Sequence, residues 1–185
     1  MKAADRSFPT RLNTPVESRE LFGRACEIFL GGTQTISKQP RHYDPDCFPT
    51  YIERGRGCRL WDVDGNEYID YVMALGPILL GYCHPAVDDA VREQLRRGVL
   101  FSGNSPLELR LGEQLQKMIP NAEKMRFFKT GAEATSAAIR LCRNFTGREK
   151  IVSCGYHGWH DWYLAKMSAP GVPVALRELI LDLPY

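Results

Sequence analysis

Few features of this chain are extreme, and what it lacks narrows its function. Its six cysteines are scattered at 26, 47, 58, 83, 142 and 154, and no two form a Cys-x-x-Cys pair. That spacing excludes a disulfide scaffold and implies free thiols in a reducing, cytoplasmic compartment. Histidine is scarce, with four residues at 42, 84, 157 and 160. One possible ligand cluster results, His157-x-x-His160-Asp161, but Gly158 and Trp159 make it a loop and no second Cys/His pair supports it. No metal site is expected. Charge of one sign is missing too: 24 basic against 22 acidic side chains leave a net +2. No basic stripe marks a nucleic-acid partner. Long hydrophobic runs are absent, and the stretch from Val72 to Leu80 is broken by Gly76 and Pro77. A membrane span is therefore not expected, and the polar start Met1-Lys2-Ala3-Ala4-Asp5-Arg6 carries no signal-peptide h-region. Internal repeats and low-complexity tracts are likewise absent.

What remains is a chain of 185 residues, 44% hydrophobic and 25% charged, with the make-up of an ordinary soluble globular domain able to bury a core. Residues 1–20 are polar and read as a loose arm. Leu21 to Leu30 has helical spacing and meets Gly31-Gly32, a natural C-cap. Thr50–Arg54, Cys58–Val63 and Glu67–Val72 read as three strands of an antiparallel meander covered by Trp61, Tyr68 and Tyr71. Gly55-Arg56-Gly57 and Asp62-Val63-Asp64-Gly65-Asn66 supply the turns.

Helices follow. His84-Pro85 opens one that runs to Gly98, and the capping box Ser105-Pro106-Leu107-Glu108 opens another that stops at Pro120. From there the pattern alternates: a strand at Met125–Lys129, a helix over Gly131–Phe145 ended by Gly147, and strands at Lys150–Cys154 and Leu179–Leu183. Strand, helix, strand at this spacing implies a parallel sheet and an α/β fold.

Two turns carry chemistry. Phe127-Phe128-Lys129-Thr130-Gly131-Ala132-Glu133-Ala134 runs from strand into helix, leaving the first helical N–H groups aimed at one point. With the helix dipole they form an anion site, to which the Thr130 hydroxyl can add. Many such turns bind nothing, however, and Glu133 can satisfy the same dipole. The second turn, Gly155-Tyr156-His157-Gly158-Trp159-His160-Asp161-Trp162-Tyr163, leaves the next strand at the same carboxyl edge, where α/β sheets bind ligands. Tyr156 or His157 can lie flat on a planar ring there, whereas Trp159, Trp162 and Tyr163 suit a core cap or a subunit contact. A phosphorylated aromatic cofactor would satisfy both turns.

Several stretches together resemble the class III (fold type I) pyridoxal-phosphate aminotransferases, above all the glutamate-1-semialdehyde aminomutase-like branch. They are Leu60-Trp61-Asp62-Val63-Asp64-Gly65-Asn66-Glu67-Tyr68-Ile69-Asp70-Tyr71, Gly76-Pro77-Ile78-Leu79-Leu80-Gly81-Tyr82-Cys83-His84-Pro85, Thr130-Gly131-Ala132-Glu133-Ala134-Thr135 and Tyr156-His157-Gly158. The resemblance implies an N-terminal arm, helix and antiparallel segment over 1–80, then the first part of a mainly parallel, cofactor-binding large domain over 81–185. It implies that pyridoxal 5′-phosphate is held by Thr130, Gly131 and Ala132, with Tyr156 stacked on its ring and His157 beside it. It implies amino transfer through a Schiff base between a small-molecule amino donor and a carbonyl acceptor, in a homodimer or with a separately encoded C-terminal half. A glutamate-1-semialdehyde 2,1-aminomutase activity and a non-catalytic cofactor- or partner-binding chain are the alternatives.

Two departures from the family pattern matter. Where the aminomutase carries Ser-Pro-Val-Arg after its paired glycines, this chain carries Thr35-Ile36-Ser37-Lys38. Lys38 cannot make the bidentate fork by which that arginine grips a substrate carboxylate. Also, the family's Schiff-base lysine and ring-nitrogen aspartate lie beyond the matching region, so no catalytic residue is expected among these 185 and the chain reads as an N-terminal portion. Lys117, Lys124 and Lys150 read as solvated, and Lys129 as structural.

Overall fold

The computed structural model describes residues 12–40 and 48–184, and residues 1–102 and 103–185 form two compact units. The start of the expected loose arm, His42 and Cys47 lie outside the described residues.

In the first unit, helix α1 (Val16–Ile28) begins earlier than its apolar spacing indicates. The reason is a cap borrowed from far along the chain. Asp64 accepts the Glu17 N–H at 2.8 Å, the Ser18 N–H at 3.1 Å and the Ser18 hydroxyl at 2.5 Å. Those amides have no acceptor inside the helix, so an outside carboxylate replaces the missing side-chain cap. After α1, Gly31 and Gly32 both take positive φ, 73° and 72°, within a 3-10 turn.

The expected meander is present. Strands β1 (Ile52–Arg56), β2 (Arg59–Asp62) and β3 (Glu67–Ile69) pair antiparallel in that order. Arg54 lies opposite Trp61, its guanidinium 3.7 Å from the ring centroid. The β2–β3 turn is organised by Asp62, only 2% exposed, whose carboxylate accepts the Asn66 N–H at 2.7 Å, the Asn66 side-chain amide at 2.9 Å and the Tyr68 hydroxyl at 2.8 Å. Burial and the Asp62 carboxylate both raise the Tyr68 pKa. Tyr71, expected to cover the sheet, is instead exposed.

The division between units falls beyond Leu80, where the sequence suggested a boundary. Gly57 and Tyr82 exchange backbone hydrogen bonds at 2.9 Å in each direction, and the Tyr82 hydroxyl donates to Asp70 at 2.7 Å. Burial and that carboxylate push the Tyr82 pKa up to about 12. These ties fasten the chain ahead of α2 (Pro85–Arg97) to the meander, so α2 belongs with the first unit.

The second unit opens with α3 (Pro106–Met118), capped by the expected Ser105/Glu108 box, and continues with α4 (Gly131–Thr146), ended by Gly147 at φ 67°. Strand β4 (Ile151–Ser153) pairs parallel with β5 (Ile180–Asp182), as the alternation implied; α5 (Asp161–Leu164) lies between them. Met125–Lys129 is not a strand: no neighbouring chain pairs with it among the described residues, and Phe127 and Phe128 are exposed. The core is smaller than the composition suggested. Among the described residues the buried hydrophobics are Ala132, Tyr163, Ala165, Val172 and Ile180. No described helix is long and apolar enough to cross a membrane.

The Asp64 cap generates a prediction. Asp64→Ala should destabilise the first unit by about 1 kcal/mol, the usual worth of a lost N-cap, in urea unfolding. Desolvation raises the Asp64 pKa, but bonds from Ser18, Glu17 and Val16 outweigh it and the net shift is downward. A depressed folded-state pKa stabilises above the unfolded value of about 4 and loses that contribution as pH falls through the folded value. The gap between wild type and Asp64→Ala should therefore narrow below about pH 4.

Candidate functional site

The second unit brings the two chemical turns into contact. Gly158 is buried, at φ +107°, and a Cβ built on it would lie 2.7 Å from the Ala132 Cβ and 2.9 Å from the Ala132 Cα. Only a residue without a side chain lets the aromatic turn close on the first turn of α4. Three polar links fasten the same seam. The Thr135 hydroxyl donates to the His157 carbonyl at 3.0 Å, the Trp162 indole N–H donates to the Ser136 hydroxyl at 3.0 Å, and Ser136 Oγ lies 2.6 Å from His160 Nδ1. Thr135 closes the quoted Thr130–Thr135 motif without a role of its own, and Ser136 is not singled out by sequence; small hydroxyl residues inside a helix give no periodic signal.

The entry into α4 is shaped by a second capping box. Thr130 Oγ1 accepts the Glu133 N–H at 3.2 Å, and the Glu133 carboxylate accepts the N–H groups of Thr130 at 2.9 Å and Lys129 at 3.1 Å. The Thr-x-x-Glu spacing was the signal for it. Thr130 thus spends its hydroxyl on Glu133, which lies 3.2 Å away, rather than leaving it free for an anion. The amides of Gly131 and Ala132 are different. They are the first two of the helix, and among the described residues they have no acceptor. A Cβ on Gly131 would meet nothing within 4 Å.

Tyr156 is 79% exposed and meets Tyr163 edge-on, with centroids 5.6 Å apart at 81°. His157 stacks on Trp162 at 6.1 Å and 24°, and Tyr163 meets it edge-on at 5.8 Å. Tyr163 is buried, and its hydroxyl donates to the Gly155 carbonyl at 3.0 Å, which holds the start of the turn. The same carbonyl accepts Lys166 Nζ at 3.1 Å. Lys166, another residue the sequence reading passed over, also reaches Asp182 on β5 at 2.7 Å and lies 4.6 Å above the Tyr163 ring. The bond to Asp182 raises its pKa, against a smaller desolvation effect, so it is held as ammonium. Lys38 lies in the first unit, exposed at the end of the 3-10 turn Ile36–Lys38.

The two glycines should therefore behave oppositely when given a methyl group. Gly158→Ala is expected to lower stability by about 1–3 kcal/mol, because both its φ and the Ala132 contact resist a Cβ. Gly131→Ala should leave the unfolding midpoint within about 0.5 kcal/mol of wild type. Chemical denaturation of the pair checks the contrast.

Comparison with known proteins identifies the family. The family model for class-III aminotransferases matches residues 41–175. The chain is 43% identical to the glutamate-1-semialdehyde 2,1-aminomutase of Methanopyrus kandleri, covering 91% of this chain and 41% of that protein. It is 40% identical to the 3-aminobutyryl-CoA aminotransferase of Cloacimonas acidaminovorans, over 91% of this chain and 40% of the other. Among solved structures, a transaminase with pyridoxal phosphate bound superposes with a TM-score of 0.83 at 27% identity, covering 95% of this chain and 42% of that one. The chain thus spans about two fifths of the length of the relatives it matches. With a family model matched over most of its residues, and two turns joined at Gly158 and Ala132, the chain belongs to the class III aminotransferases.

Proposed function

We propose that this chain supplies the phosphate- and ring-binding part of a pyridoxal-phosphate-dependent aminotransferase. The observation that carries the reading is the pair of amides at Gly131 and Ala132, which have no acceptor among the described residues, at a helix N-terminus where a Cβ on Gly131 would meet nothing within 4 Å. Backbone donors there, aided by the helix dipole, suit a phosphate dianion. The Glu133 carboxylate would repel such a dianion, but it is turned onto the amides of Lys129 and Thr130. Thr130 then serves mainly by fixing the turn. Tyr156 offers an exposed aromatic face for a planar pyridine ring, with His157 beside it, held between Trp162 and Tyr163.

When bound, the cofactor supplies the carbonyl that takes up an amino group and the electron sink for the reaction. The residues of this chain bind and orient it. None is assigned as the amine that links to it: such a lysine must be able to lose its proton, and Lys166 is held as ammonium by Asp182. The substrates are a small-molecule amino donor and a carbonyl acceptor. Relatives carry both mutase and transferase names, and Lys38, which lacks a guanidinium fork, favours a transferase over the 5-carbon aminomutase reaction. Cys26, Cys58, Cys83, Cys142 and Cys154 are all free, in keeping with a cytoplasmic site of action. The partner in this reading is a second copy of the chain or a separately encoded C-terminal half.

Two measurements test this reading. Gly131→Leu should fold yet lose at least about tenfold in affinity for 4′-deoxypyridoxine phosphate, an analogue unable to form an imine, by titration calorimetry. Unchanged affinity would refute the cradle. Treating the chain with pyridoxal phosphate and borohydride should label no single lysine. A unique adduct, at Lys166 or Lys129 for example, would show that the linking amine is present after all.

A further inference from the structure

The hydroxyl of Ser136 is in contact with three polar groups, and counting its hydrogens decides more than the packing alone. It lies 2.9 Å from the Ala132 carbonyl, 3.0 Å from the Trp162 indole nitrogen and 2.6 Å from His160 Nδ1. A hydroxyl has one hydrogen to give and two lone pairs to receive. The Ala132 carbonyl is an acceptor only, so the hydroxyl hydrogen belongs there. The indole is a donor only, so it takes one lone pair. His160 Nδ1 meets the remaining lone pair and must bring its own hydrogen. The reverse assignment, with the hydroxyl hydrogen on Nδ1, would press two hydrogen-free oxygens together at 2.9 Å.

We infer that Ser136 is a positioning residue for the ring-stacking turn, and that it fixes His160 in the tautomer that carries its proton on Nδ1. Ser136 sits on α4 one turn beyond the phosphate-type amides, while His160 and Trp162 flank the exit of the Tyr156–Gly158 segment. One hydroxyl therefore ties the element that offers the anion site to the element that offers the aromatic face. Trp162 is also the ring on which His157 stacks, so the tie reaches a residue beside the proposed pyridine position. Thr135 reinforces the same seam from the neighbouring position through the His157 carbonyl. Loss of the Ser136 hydroxyl frees the turn without touching the amides of Gly131 and Ala132. Its effect should fall on recognition of the ring and spare recognition of the phosphate.

The role of Ser136 in ligand binding rests on the cofactor reading above, and the test keeps the two apart. In the wild-type chain, nitrogen-15 NMR of the histidine rings should show neutral His160 with hydrogen on Nδ1, opposite to the form that free histidine favours. A proton on Nε2 instead would overturn the inference whatever the chain binds. Ser136→Ala should release that tautomer and weaken 4′-deoxypyridoxine phosphate binding about tenfold, while inorganic phosphate affinity stays within about twofold. Ser136→Thr, which keeps the hydroxyl, should restore both signals. Equal loss of the analogue and of phosphate, or no loss of either, would overturn the positioning role. Failure of the wild-type chain to bind the analogue would overturn the cofactor reading and with it this use of the knot, while the tautomer is still read directly.

Discussion

The seat of Gly158 against Ala132 is the constraint on which the site depends. A helix N-terminus alone is a common feature, and so is an aromatic turn after a strand. Their contact at a distance that admits no Cβ joins two ordinary features into one. Ala132 serves both sides of the seam: its carbonyl takes the Ser136 hydroxyl, and its methyl lies against Gly158. A larger residue at either position would separate the aromatic face from the amides.

Both units solve the same problem of helix entry by different means. At α4 the acceptor is local, Thr130 and Glu133 closing a reciprocal box within four residues. At α1 the acceptor is remote, Asp64 arriving from the β2–β3 turn, so that capping a helix also fixes a tertiary contact. The distinction has functional weight. The local box at α4 uses the Glu133 N–H and the amides just before the helix, and leaves Gly131 and Ala132 unsatisfied. An Asp64-like carboxylate at that position would occupy those two amides instead.

Much of this was legible in the residues because periodicity and turn chemistry are local. Helices α2, α3 and α4 begin and end where proline, capping serine and glycine place them, and the meander is present, though Gly55 and Arg56, read as a turn, extend β1 and pair with Leu60 and Arg59. The start of α1 was not legible, since its cap lies some fifty positions away. Met125–Lys129 reads as a strand from its apolar run, yet strand formation is a property of pairs and no partner adjoins it among the described residues. Tyr156 and His157 were legible as ring-bearing residues beside two glycines. The Ser136 knot was not, because nothing in a helix sequence marks which serine will meet a histidine and an indole from another element.

The small core gives these polar knots their importance. With few hydrophobic side chains buried in the second unit, and with Leu141, Phe145, Val152 and Leu181 exposed, area burial alone holds the turn against α4 weakly. Hydrogen bonds are individually modest, about 1 kcal/mol each, but they are directional, and leaving one partner unmatched costs more than the bond contributes. Four converge on Ser136 and Thr135 within one helical turn, and the packing of Gly158 excludes side-chain bulk between them. A seam of that kind can be precise without a large core behind it. The junction of the two turns is therefore set in this chain by a glycine that permits close approach and hydroxyls that fix its direction.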